Sequence, residues 1–247
     1  MLPEIPVEEW SQALDACGID LLVQQGVVGP PIDAIQLAAG LGMDVAWDAA
    51  QAGRARIVRL PRAAGGTTQH AVMVRPELRP ERIQWAVAHE IGESLANQVF
   101  GELGIDPREA RADAREQVAN QLAVRILLPG AWFVADAAEC KWDLPKLKER
   151  YATASHELIA RRMLDFASAA VITIYDQGKA KFRRAAVGGR SGPLRPIELT
   201  CWRVVHQSGR FAQRKDAACV VRGWPIHEPE WKREILRLDW KGDPEEC

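Results

Sequence analysis

The segment 85–93, Trp-Ala-Val-Ala-His-Glu-Ile-Gly-Glu, brings together three side chains that can do metal or acid–base chemistry. His89 and Glu93 are four positions apart, so on a helix they share one face and can reach the same cation. Glu90 lies on a flank from which a carboxylate can take a proton from water. A hydrolytic metal site needs this combination of protein ligands, an open position for water and a nearby base.

The surroundings of this motif separate it from an ordinary solvated helix face, which is the alternative explanation for a short His-Glu-x-x-Glu string. An apolar run precedes His89, and a buried group of charged side chains is costly without a cation or a dense hydrogen-bond network. Gly92 leaves room for a neighbouring element to approach closely. A third ligand should then come from a second helix, where Glu116 lies 23 positions after Glu93 with Asn120 one turn further on.

Helices and strands that would hold these residues can be predicted from apolar periodicity and from turn residues. The predicted helices are 8–25, a short helix starting near Pro31 and Asp33 and running to Gly40, 80–100, 107–128 (ended by Pro129-Gly130), 144–151, and 154–166 with Ser155 as N-cap. The predicted strands are 43–47, 54–60 and 70–74, with a turn at 65–68, then a hairpin of 170–175 and 179–185, and shorter pieces at 197–205 and 217–223.

This order of elements predicts an α+β fold, with a helical core, a small sheet near the N-terminus and a β-rich C-terminal subdomain. We expect one domain at 1–165 and a second at 166–247. The composition is that of a globular protein, since 47% of the 247 residues are hydrophobic and 26% are charged, with a net charge of −1. Five scattered cysteines without a CxxC pair, no signal-like start and no long apolar run indicate a cytoplasmic protein without a membrane span.

Four segments resemble the ImmA/IrrE-type zinc endopeptidases, a family with a gluzincin-like site. The similar segments are 30–42, 81–93, 116–129 and 154–163, and they keep the family's order and approximate spacing across residues 10–165. The resemblance implies that His89 and Glu116 are metal ligands and that Glu90 is the general base. It also implies a zinc endopeptidase whose substrate is a helix-turn-helix transcriptional repressor, cut under stress. No such region is evident in this chain, so the repressor would be a separate protein.

The family's second histidine falls on position 93, where this chain has glutamate. Two histidines and one glutamate leave a zinc site with a charge of about +1, whereas one histidine and two glutamates leave it near zero. A neutral site polarises water less, and carboxylates favour Mn²⁺ or Fe²⁺ more than imidazoles do. Two functions therefore stay open, a working hydrolase and an inactive family member that regulates by binding through its basic C-terminal region.

Three further features each allow two interpretations. Tyr151 and His156 could be auxiliary donors in the cleft, although His156 also fits an exposed position at a helix start. Ten Lys or Arg residues against one acid in 179–215 could contact nucleic acid or another anion, or could be a solvated face. Cysteines and histidines of the C-terminal third could form a second zinc site or could be core residues: Cys201, His206, Cys219 and His227.

Overall fold

A computed structural model describes residues 5–60, 69–167, 169–186, 189 and 191–242. The chain divides into two compact units, one of Met1–Cys140 with Lys146–Ser155 and one of Lys141–Pro145 with His156–Cys247. Helices and two separate sheets together confirm the predicted α+β class. The division into functional domains at residue 165 stays a prediction.

Helices make up most of the first unit. They are α1 (Val7–Gln24), α2 (Ala34–Gly40), α3 (Pro80–Glu102), α4 (Ala112–Leu127), α5 (Gly130–Glu139) and α6 (Leu144–Arg150). The predicted helix at 107–128 begins late, because Asp106 accepts the backbone N–H of Arg108 and holds a turn there. The helix α4 ends at Leu127, just before Pro129-Gly130 as the sequence predicts, and Gly130 also begins the next helix, α5. Pro129 is tolerated directly before α5, because the N–H groups of the first helical turn have no partner within the helix and no hydrogen bond is lost.

The helices α1, α3 and α4 pack around one apolar cluster. Its buried members include Leu14, Phe100, Val118 and Leu122. Burying such side chains contributes roughly 1.5–3 kcal/mol each relative to leaving them exposed, so this cluster fixes α4 against α3. Within the described residues, no single helix has the length and apolar character of a membrane span. The pair of α4 and α5, bent by 48°, meets that criterion by length and composition only.

A three-stranded sheet lies in the same unit. It contains β1 (Met43–Trp47), β2 (Ala55–Leu60) and β3 (Gln69–Val74) in the order β1-β3-β2, and β2 pairs antiparallel with β3. These strands confirm the predicted ones, while the turn predicted at 65–68 lies outside the described residues. Asp33 caps α2 by accepting the N–H of Ile35 at 2.9 Å, and its carboxylate also accepts from Gln84 of α3 at 3.0 Å.

The second unit contains a five-stranded antiparallel sheet. Its elements are α7 (His156–Arg162) with a 3₁₀ turn (Met163–Asp165), β4 (Ala170–Asp176), β5 (Lys179–Ala185), α8 (Pro196–Ser208), β6 (Ala212–Lys215), β7 (Cys219–Glu228) and β8 (Trp231–Trp240). The strand order is β5-β4-β8-β7-β6. The predicted hairpin is confirmed as β4 and β5, and the piece at 217–223 belongs to β7.

The strand predicted at 197–205 is wrong, because this segment forms α8. Ile197, Cys201 and Val205 recur every four residues and pack on the sheet, which is the spacing of a helix. Pro196 occupies the first turn, and Gly209 ends the helix in the left-handed conformation with a φ of 61°.

The second-zinc interpretation of the C-terminal cysteines and histidines has no support in the described part of the chain. Cys201 and Cys219 are fully buried in the apolar cluster beneath α8. His206 and His227 instead contact one oxygen of the buried Glu234 at 2.8 and 2.7 Å. The cysteines therefore act as core residues, and the histidines compensate a buried carboxylate.

Candidate metal centre

The middle of α3 carries a group of three side chains that could hold a metal ion. Ligand atoms of His89, Glu90 and Glu93 all lie within 4.8 Å of one another. One helical turn places His89 and Glu93 on the same face, as their spacing predicts. Glu90 is buried and only 6% exposed, whereas Glu93 faces solvent. The set therefore combines two reachable ligand positions with a shielded carboxylate.

Glu116 reaches the same group from α4. Its Oε2 lies 3.6 Å from Nε2 of His89, and its side chain is 61% exposed. Asn120 lies one turn further along α4 and donates from Nδ2 to Oε1 of Glu116 at 3.0 Å. That hydrogen bond orients the carboxylate while its other oxygen stays directed at His89. Partners of this kind hold metal-binding side chains in position and tune their affinity.

Gly92 allows α3 and α4 to approach closely, as the sequence predicts. A Cβ at this position would lie 2.7 Å from the carbonyl oxygen of Ala119 and 3.0 Å from Cβ of Leu122. Contacts below 3.0 Å to backbone atoms cannot be accommodated without a shift of the helix. The absence of a side chain at Gly92 thus sets the separation across which Glu116 reaches His89.

Glu90 is held in place by the small sheet. Its Oε2 accepts the backbone N–H of Ile57 in the edge strand β2 at 2.8 Å. Burial raises the pKa of the Glu90 carboxyl, and the negative charges of Glu93 and Glu116 raise it further, while His89 and the Ile57 N–H oppose this rise. A carboxylate in such an environment binds a proton more readily than an exposed glutamate does.

These four side chains open onto a cleft of about 640 Å³. Several further residues line this cleft that the sequence motifs do not predict, above all three arginines and a histidine: Arg56, Arg59, His70 and Arg115. A signal was available, because bases are frequent and acids absent along the segment that forms β2 and β3. Ile57, by contrast, contacts Glu90 through its backbone N–H, so the type of residue at position 57 does not indicate this contact.

The donor set fits a divalent cation. His89, Glu90 and Glu93 form one group whose ligand atoms lie within 4.8 Å of one another, and Glu116 approaches this group through its 3.6 Å contact with His89. Three protein ligands with an open side toward solvent are the arrangement of catalytic zinc sites. Without a cation the three glutamates would repel one another, so a bound ion would relieve the repulsion that raises the Glu90 pKa.

The two other predicted auxiliary residues lie elsewhere. Tyr151 is fully buried, contacts the ring of Phe133 and donates its hydroxyl to Oδ2 of Asp136 at 2.7 Å. It is not among the described residues that line the cleft. His156 is the first residue of α7 and belongs to the second unit. Catalytic roles for Tyr151 and His156 stay predictions.

We expect Tyr151→Phe to lower the free energy of unfolding by about 1 kcal/mol, because Asp136 loses a buried donor. Burial and Asp136 raise the pKa of Tyr151, so its hydroxyl remains a donor at neutral pH. Thermal unfolding measures this loss, and Tyr175→Phe is the matched control, since the buried Tyr175 hydroxyl has no hydrogen-bond partner in the described structure. A tenfold fall in kcat without loss of stability would instead support an auxiliary role for Tyr151.

Two comparisons with known proteins match this chain. A family model described as the IrrE N-terminal-like domain, a peptidase family, matches residues 42–164. The match includes three of the four segments on which the predicted resemblance rests, and it confirms that resemblance. The fold is similar to that of a Mycobacterium tuberculosis transcriptional regulator of known structure, with a TM-score of 0.62, 17% identity, and coverage of 95% of this chain and 80% of that one. No curated protein matches the sequence.

Proposed function

The chain belongs, through residues 42–164, to the IrrE N-terminal-like peptidase family, and from this premise we propose that it is a metal-dependent endopeptidase. One observation carries the proposal, namely that α3 and α4 bring His89, Glu90, Glu93 and Glu116 to a single cleft. A buried carboxylate that shares a cleft with three further titratable groups is a candidate for a hydrolytic centre.

In the proposed reaction, Glu90 takes a proton from the attacking water and returns it to the amine that leaves. Its burial and its hydrogen bond to the Ile57 N–H hold the carboxylate in a fixed position beside the ligand group for this transfer. The Ile57 N–H occupies Oε2 and leaves Oε1 for the proton. His89, Glu93 and Glu116 would hold the ion, with Asn120 orienting Glu116. A bound zinc ion would supply Lewis acidity to the carbonyl and to the water.

Zinc is the proposed metal, in keeping with the family resemblance. Its charge would be nearly cancelled by two glutamates, and Mn²⁺ or Fe²⁺ is the proposed alternative because carboxylates suit harder cations. The proposed substrate is a separate helix-turn-helix transcriptional repressor, cleaved under stress in the cytoplasm. The substrate rests on the resemblance to the family, and the location rests on the scattered cysteines without a CxxC pair.

A second candidate function is a regulator that binds without hydrolysis. It is favoured by Glu93 in place of the family's histidine and by exposed bases on both edge strands of the second sheet, which are Lys179, Lys181, Arg184, Arg214 and Lys215. Within this basic stretch Arg183 is already neutralised by the buried Glu198 at 2.7 Å. The proposed contact of 179–215 with nucleic acid or another anion would therefore use the edge-strand bases.

The two candidates differ in metal content and in sensitivity to chelation. We expect the purified protein to hold one equivalent of metal and to cleave a peptide library prepared from a digested bacterial proteome, with new N-termini read by mass spectrometry. EDTA should abolish cleavage, and Zn²⁺, Mn²⁺ or Fe²⁺ added back should restore it. Protein without metal and without chelator-sensitive cleavage would contradict the peptidase and favour the regulator.

Glu93→His is expected to raise kcat, by about tenfold, because a neutral ligand leaves more positive charge on the ion to polarise water. Imidazole and carboxylate both reach a cation from this helical position, so the ligand geometry is kept. Zinc content and turnover should be measured on the same preparation. Unchanged or lower turnover at full zinc occupancy would show that the charge of the Glu93 ligand does not limit this enzyme.

A further inference from the structure

The hairpin of β2 and β3 is strongly basic. Between Asp48 and Glu77 the sequence contains no acidic residue, yet it contains five arginines: Arg54, Arg56, Arg59, Arg62 and Arg75. This hairpin carries Ile57, whose N–H contacts Glu90, so its charge lies beside the proposed catalytic centre. A local charge of this size attracts anionic ligands and accelerates their association.

Two of these arginines share one carboxylate outside the cleft. Arg54 and Arg75 contact Glu77 at 3.8 and 3.2 Å, and Arg82 contacts it as well at 3.4 Å, so Glu77 offsets only part of their charge. Neither Arg54 nor Arg75 lines the cleft. Because they lie on the same hairpin region but not in the cleft, they serve as a comparison for the arginines that line it.

Among the described residues, the cleft arginines have at most one distant carboxylate partner, which is Asp48. Arg56 comes no nearer than 4.0 Å to Asp48 and is 63% exposed. Arg115 of α4 gives both terminal nitrogens to the amide oxygen of Asn97 at 2.7 Å, which leaves its charge uncompensated. Among the described residues no ion pair is found for the exposed Arg59, and the neighbouring segment 61–68 contains no acid in its sequence.

The carboxylates inside the cleft do not satisfy these guanidinium groups. Glu90 accepts from Ile57, Glu116 accepts from Asn120 and faces His89, and Glu93 belongs to the group that could hold a metal ion. A bound cation would offset the negative charge of these carboxylates. The three arginines that line the cleft would then add positive charge to it.

We propose that this cleft selects acidic peptide segments, with Arg56, Arg59 and Arg115 binding aspartate or glutamate side chains next to the bond to be cut. This inference rests on the proposed endopeptidase function and names the substrate class for the same site. Arginine recognises carboxylates through paired, charge-assisted hydrogen bonds, which neutral side chains cannot replace.

A peptide fits this surface better than a nucleic acid does. The exposed carboxylates of Glu93 and Glu116 line the same cleft as the arginines, so the cleft carries charges of both signs. A peptide can match its acidic side chains to the arginines and present neutral backbone to the glutamates. A nucleic acid carries a charged phosphate at every nucleotide, so it has no neutral backbone to place beside these carboxylates.

Binding can be measured without turnover by using the zinc-loaded Glu90→Gln protein. The probes are a fluorescein-labelled unstructured peptide with glutamate at half of its positions and its counterpart with glutamine at those positions. We expect the acidic peptide to bind at least about tenfold more tightly, with a difference that shrinks as salt is raised. A further Arg59→Gln, Arg115→Gln double change should remove most of this preference, whereas Arg54→Gln should leave it intact.

Equal affinity for the two peptides would overturn the inference, as would a preference that Arg54→Gln weakens as much as the double change does. Tighter binding of single-stranded DNA of similar length through Arg59 and Arg115 would also overturn it and identify a nucleic-acid surface. Failure of the proposed endopeptidase function would give a different combination of binding and hydrolysis results. Selective binding of the acidic peptide without chelator-sensitive hydrolysis by the wild type would leave the inference standing, whereas hydrolysis without acidic preference would leave only the endopeptidase standing.

Discussion

Replacing Glu90 with glutamine is expected to lower kcat by about 10²–10⁴-fold, the range contributed by a positioned general base. Glutamine has nearly the same size, and its Oε1 can still accept the N–H of Ile57 in β2. The change therefore removes basicity and charge while it leaves the packing of α3 unchanged. Peptide hydrolysis at saturating substrate, normalised to metal content, measures the effect.

Stability separates this result from a folding defect. Because burial raises the pKa of Glu90, the charged carboxylate lowers the stability of the metal-free protein at pH values above that pKa. Glutamine removes the charge, so the metal-free variant should unfold at the same temperature as the metal-free wild type or at a higher one. Glu102→Gln, on an exposed position of the same helix, is the control and should retain full activity.

Activity within about tenfold of the wild type in a metal-loaded Glu90→Gln protein would contradict the proposed role of this residue, since general-base catalysis contributes at least about 10²-fold. Loss of metal together with activity would have another meaning. It would show that Glu90 is itself a metal ligand. Its carboxylate is close enough for this role, because ligand atoms of His89, Glu90 and Glu93 lie within 4.8 Å of one another.

The helical part of the site could be predicted from the sequence because helices have a fixed period. The spacing of His89 and Glu93 gives their common face, and the run containing Glu116 and Asn120 is long enough to identify a second helix. Gly92 indicated a close contact, and the carbonyl of Ala119 lies where its side chain would be. Each of these predictions depends only on residues that are near one another along one helix or on the packing of two helices.

The contribution of the sheet could not be predicted, because it depends on tertiary placement. The N–H of Ile57 reaches Glu90 across 33 positions of sequence through a backbone atom, so no residue type signals it. Arg56 and Arg59 become cleft residues only once β2 lies at the sheet edge beside α3. The wrong strand prediction at 197–205 has a different cause, because a short apolar run fits a strand and a helix equally well. Pro196 and Gly209 mark the two ends of a helix there and would have decided between the two.

A second large effect is expected at the contact of α3 with α4, where Gly92→Ala should lower the free energy of unfolding by about 1–3 kcal/mol. The added methyl group would meet the carbonyl oxygen of Ala119 at 2.7 Å and Cβ of Leu122 at 3.0 Å. Neither atom is the end of a flexible side chain, so the two helices must separate. That separation also moves Glu116 away from His89, and metal affinity should fall together with stability.

Gly101→Ala is the matched control, because it makes the same chemical change in the same helix at a position where nothing lies within 4 Å of the new methyl group. Alanine favours a helix over glycine by up to about 1 kcal/mol, so this variant should be as stable as the wild type or more so. Urea denaturation of both variants gives the difference. If Gly92→Ala were as stable as Gly101→Ala and bound metal equally well, the close approach of α3 to α4 would not set the geometry of the site. The distance from His89 to Glu116 would then have to be maintained by the apolar cluster around Phe100 and Leu122 alone.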